Sequence, residues 1–134
     1  MRSYVPLLAR VLLGLIFVMS GLSKITGFES TQQYMASYGM PLTAVLLVGA
    51  IVVEILGGLS IILGLWARAG AAALVLFLIP ATLIFHTEFG QRTQMIMFLK
   101  NLSIMGGLLL LMAHGAGKYA LRPLDFPEEN PTYA

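Results

Sequence analysis

Cysteine is absent from all 134 residues, which excludes disulfides, thiolate-ligated zinc, cysteine-held iron–sulfur clusters and a persulfide nucleophile within the chain. Any sulfur or cluster chemistry would belong to a partner. Charge is scarce too: 10% of residues are Asp, Glu, Lys or Arg, against 58% hydrophobic. Soluble domains carry about 25% charged residues, so this composition suits lipid rather than water. The eight Lys and Arg outnumber the six acids for a formal charge of +2. They are spread along the chain, mostly near the ends of apolar stretches, and form no basic stripe that would hold nucleic acid. With two histidines in the chain and one carboxylate inside an apolar run, a dedicated metal cage lacks ligands.

What is present is a set of apolar runs, each close to the roughly 20 residues a membrane-spanning helix needs. They cover residues 5–22, 43–66, 69–85 and 95–115. The first is broken only by Arg10. Its length, that arginine and the lack of a small-residue cleavage site in VMSGLSK favour a retained helix over a secretory signal. Residues 23–42 mix Gly, Ser, Thr, Gln and Tyr and end in a Gly39-Met40-Pro41 turn signal, which predicts a short helix on the membrane surface. Ala67, Arg68, Ala69 and Gly70 read as a tight turn that makes the second and third runs an antiparallel hairpin. Pro80 should kink the third run, with Thr82 partly repairing the lost backbone bond.

The expected fold is therefore all-α: an integral membrane four-helix bundle at residues 1–118 with a polar tail at 119–134. Arg2, Arg10, Arg68, Lys118 and Arg122 fall at one side of the membrane, and Lys24, Arg92 and Lys100 at the other. The positive-inside rule then puts both termini in the cytoplasm of a multi-pass protein of the bacterial inner membrane.

The few ionisable groups inside the runs share helix faces with small residues. Arg10, Gly14, Phe17, Gly21 and Lys24 follow steps of 4, 3, 4 and 3; Glu54, Gly57, Ile61 and Gly64 follow 3, 4 and 3, with Gly58 beside them; Lys100, Ile104, Gly107, Leu111 and His114 form a third stripe. Gly14, Gly21, Gly57, Gly58, Gly64, Gly106 and Gly107 are the candidates for close helix packing. A stripe that packs inward carries its charge inward. Helix rise places Glu54 and Lys100 roughly 18 and 21 Å from the cytoplasmic surface, so the two come out level. Glu54 is expected to pair with Lys100 or Arg10, with Asn101 completing the hydrogen bonds. A structural salt bridge and a ligand or proton site are both consistent with that pattern. His86 and His114 cannot share a haem, because helix rise separates them by roughly 27 Å; His86 is expected at the outer rim.

The ordered set RVLLGLIFVMSGLSK, EILGG, GLWAR, His86 and FLKNLSIMGGLLLL resembles the DoxX family of small bacterial inner-membrane proteins over about residues 5–125. Its KITGF and TQQYM segments resemble the first loop of the short enterobacterial members. The resemblance implies a four-helix membrane protein of a family named after a subunit of an archaeal quinol oxidase and thiosulfate:quinone oxidoreductase. Members are often labelled candidate oxidoreductases, and some are associated with redox stress and partners that carry the chemistry. The expected role is a membrane subunit or accessory of quinone-linked redox chemistry. Arg10, Glu54, His86, Lys100 and Asn101 line its ligand pocket, Glu54 exchanges a proton, and quinone is the candidate cofactor. The alternatives are a non-enzymatic lipophile binder or exporter-like protein, for which a homodimer is expected, and a scaffold for partner proteins.

Overall fold

The computed structural model describes residues 4–117. The expectations for Arg2, Lys118, Arg122 and the tail at 119–134 lie outside the described residues. The described chain forms five helices: α1 Tyr4–Thr26, α2 Phe28–Ser37, α3 Thr43–Leu63, α4 Ala67–Phe85 and α5 Arg92–His114. Among the described residues there is no strand. All of these helices but α2 are long and apolar enough to cross a bilayer. Chain direction places the α3–α4 turn and the end of α5 at one end of the bundle. The end of α1, the α4–α5 loop and α2 lie at the other.

α1 packs on α3, α3 on α4 and α4 on α5, while α1 and α5 meet sparsely. Lipid gives no hydrophobic drive for helix association, so these contacts depend on shape. The α1–α3 seam is the tightest. A Cβ on Gly14 would stand 2.5 Å from Ile62 Cγ1 and 2.6 Å from the Gly58 carbonyl oxygen, and one on Gly58 would meet the Gly14 carbonyl oxygen at 2.9 Å. Gly57 leaves comparable room for Leu74 of α4. Leu47, Ile61, Leu74 and Leu108 fill the interior. Gly107 receives Leu13 of α1, whereas Gly106 is exposed and packs against nothing among the described residues.

The reversal between α3 and α4 comes earlier than expected. Gly64 (φ 72°) and Trp66 (φ 52°) take left-handed conformations, and the Ser60 hydroxyl donates to the Leu65 and Trp66 carbonyls at 2.6 and 3.0 Å. These bonds hold the turn that carries the chain out of α3, and Ala67–Gly70 form the first turn of α4. The main work of Gly64 is thus to end α3. α4 continues through Pro80 to Phe85, and the Thr82 hydroxyl bonds across to α5.

Arg10 is buried at the α3–α4 end. Its Nη1 donates to the Ile61 and Ile62 carbonyls, both at 3.3 Å, placing a cation at the negative end of α3. At the other end, α2 is tied down by aromatic contacts: Tyr34 stacks on Phe85 of α4 at 5.4 Å, and Tyr38 meets Phe85 edge-on at 5.0 Å.

Candidate functional site

The sequence alone predicts that Glu54 faces inward, and its place on α3 follows from the glycines of α1. Gly21 lets α3 approach until its missing Cβ would lie 3.5 Å from the Glu54 Cβ. One turn further along α1, Lys24 reaches across the same seam. Its Nζ lies 2.9 Å from Glu54 Oε1 and 3.3 Å from Oε2, and also donates to Ser20 Oγ at 2.8 Å. The Glu54 side chain is 2% exposed and that of Lys24 26%. The partner of Glu54 is therefore Lys24, not Lys100 or Arg10. Arg10 lies toward the opposite end of α1, held by the last carbonyls of α3, and it does not line the cavity described next.

The pair sits in the wall of a cavity of about 930 Å³, within the size range of small-molecule sites. The cavity occupies the half of the bundle beneath α2. α1 and α5 touch at Leu13 and Gly107 in the other half, which leaves this half less filled. Most of its wall is aliphatic or aromatic. Polar groups enter from each helix: Ser20 and Lys24 from α1, Thr31 and Tyr34 from α2, Glu54 from α3, His86 at the end of α4, and Lys100 and Asn101 from α5. Val45 and Leu76 also line it while being 67% and 70% exposed, so the space continues to the outer surface between α3 and α4.

Four of the five expected pocket residues, Glu54, His86, Lys100 and Asn101, thus border one space. Asn101 is buried and its Nδ2 donates to Thr82 Oγ1 at 3.0 Å, linking α5 to α4 instead of serving Glu54. His86 Nδ1 lies 3.1 Å from Gln94 Oε1, which closes the α4–α5 loop at the rim. Lys100 makes no ion pair or hydrogen bond among the described residues. The buried residues of α5 are Asn101, Leu108 and Leu111; Lys100 is exposed on the flank of that face, where it also lines the cavity. Among the described residues no group of three His, Asp or Glu side chains converges as a metal site would require.

Ser20, Lys24, Thr31 and Tyr34 line the cavity without having been assigned to the site from the sequence, and Thr82 holds the lining Asn101. The signal for Lys24 was present, since it completes the stripe through Gly14 and Gly21. Its place at a helix end made it look like a surface charge.

Four long apolar helices around a largely apolar cavity with a few polar groups in its wall define a small multi-pass membrane protein. The chain belongs to the DoxX family, whose model matches residues 5–87. It is 40% identical to the inner membrane protein YqjF of Escherichia coli strain K12 over 86% of this chain and 87% of that one. It is 35% identical to the inner membrane protein YphA of the same organism, over 90% and 89%. A shorter match, 40% identical over 56% of this chain and 54% of the other, is to CatD of Bacillus subtilis strain 168, named as a candidate oxidoreductase. No solved structure matches the chain significantly. The chain is accordingly a multi-pass protein of the bacterial inner membrane, embedded in the lipid bilayer.

Proposed function

We infer that the cavity binds the headgroup of a quinone, and that the chain is the membrane subunit or accessory of a quinone-linked redox system whose electrons come from a partner protein. The observation that carries this reading is the pairing of the buried Glu54 with the half-buried Lys24 in the wall of a largely apolar cavity that reaches the outer surface of the bundle. A quinone needs an apolar slot for its ring and tail, hydrogen-bond donors for its carbonyls and a proton source when it is reduced. Lys100 and Asn101 supply donors. Glu54 supplies a carboxyl group that can exchange a proton, with Lys24 holding its charge between exchanges. The open side past Leu76 gives the tail a route to lipid.

In this reading both termini are cytoplasmic. Arg10 and Arg68 lie at the cytoplasmic end, and the cavity lies in the periplasmic half. The name of CatD is consistent with a redox role.

Binding of a neutral short-tailed quinone, such as decylubiquinone, to the full chain in nanodiscs tests the reading. Saturable binding that Glu54→Gln weakens by about tenfold is expected, the scale of one hydrogen bond to a charged group. If the probe binds without saturation, the cavity is no quinone site. If a phospholipid displaces it, the same space serves as a general lipid pocket.

A further inference from the structure

We propose that the favoured ligand is acidic: an amphiphile whose headgroup carries one ionised oxygen at neutral pH, held by Lys100. The proposal rests on the reading of the cavity as a headgroup site and specifies its chemistry.

The charges in the wall carry it. Among the described residues Glu54 is the only acid there, and Lys24 neutralises it at 2.9 Å. Of the remaining basic groups, His86 engages Gln94. That leaves the Lys100 ammonium without a counter-charge among the described residues. Lys100 lies about 12 Å along α5 from Arg92 by helix rise, well below the helix end. An ammonium at that depth needs a counter-ion, water or a ligand. A monoanionic headgroup brings the wall to electrical balance, whereas a neutral headgroup leaves the charge uncompensated and a dianion overshoots it. The next residue, Asn101, adds an amide to the same wall, and the apolar remainder accepts a ring or alkyl chain.

The experiment compares two probes of nearly the same shape, a 2-hydroxy-3-alkyl-1,4-naphthoquinone, ionised at neutral pH, and its 2-methoxy ether, which stays neutral. Binding to the full chain is measured in zwitterionic nanodiscs with empty discs subtracted. The hydroxy form is expected to bind at least about tenfold more tightly, the scale of one charge-assisted contact. Lys100→Met should abolish that preference, and Lys100→Arg should retain it. Thermal midpoints of both variants check folding, and because Lys100 has no partner among the described residues both should match the wild type. Equal binding of the two probes overturns the proposal but leaves the cavity as a quinone site. A preference that survives in Lys100→Met also overturns it. If neither probe binds, the headgroup reading falls and the proposal with it.

Discussion

Lys24 Nζ lies 2.9 Å from Glu54 Oε1, joining the end of α1 to the middle of α3 in the wall of the cavity. Removing one member of such a pair leaves the other charge in an apolar setting, whereas removing both does not. Lys24→Met is expected to destabilise the protein by about 2–3 kcal/mol, below the ~3–5 kcal/mol of fully buried pairs because the lysine keeps some contact with the cavity. Lys24→Leu combined with Glu54→Leu should recover most of that loss. Thermal inactivation in detergent measures both, and equal losses would mean that the unpaired charge is not the cause.

The α1–α3 seam should be intolerant of any side chain at Gly14. The atoms that a Cβ would meet include the Gly58 carbonyl oxygen at 2.6 Å, and backbone cannot swing aside. Gly14→Ala is expected to cost about 1–3 kcal/mol. Gly106→Ala, with open space around it, should leave stability unchanged or raise it, since alanine is the better helix former. The yield of folded protein and its thermal midpoint distinguish the two.

How far the site could be read from sequence depends on which residue is asked about. The four long apolar helices and the inward face of Glu54 follow from run length and 3.6-residue periodicity. The pairing of Glu54 does not. It depends on the relative register of α1 and α3, which is set where Gly14 nests against Gly58 and Gly21 against Ile55. Depth estimates put Lys100 level with Glu54, but depth says nothing about azimuth, and α5 is rotated so that Asn101, not Lys100, is buried. Arg10 shares a stripe with Lys24 but lies about 20 Å away along the helix by rise alone. That distance takes it to the carbonyls ending α3, away from the carboxylate.

Tyr34 on α2 has its phenol pushed from the ordinary 10.0 up to about 12, first through its hydrogen bond with Tyr38, then through burial and nearby negative charge. Because the folded value lies above the unfolded one, the stability that neutral Tyr34 supplies is intact below pH 10.0 and is lost as pH rises towards about 12. A phenolate absorbance titration should show Tyr34 ionising after an ordinary tyrosine, and Tyr38→Phe should bring it back towards the ordinary value. An unchanged titration in that variant would remove the hydrogen bond as the main cause.

Single cysteines test the proposed orientation without background, because the chain has none of its own. A cysteine replacing Glu88, in the α4–α5 loop, is expected to react with a membrane-impermeant maleimide from the periplasmic side of intact cells. One replacing Ala69, beside the α3–α4 turn, should react only after the membrane is opened. The reverse pattern would invert the topology and move the cavity to the cytoplasmic half.

A density map of the protein purified with its native lipids is the most direct test of the central claim. A quinoid headgroup lying against Glu54, Lys100 and Asn101, with its tail leaving past Leu76, is the predicted result. A cavity filled by phospholipid acyl chains, or by water alone in preparations to which quinone has been added, would contradict it.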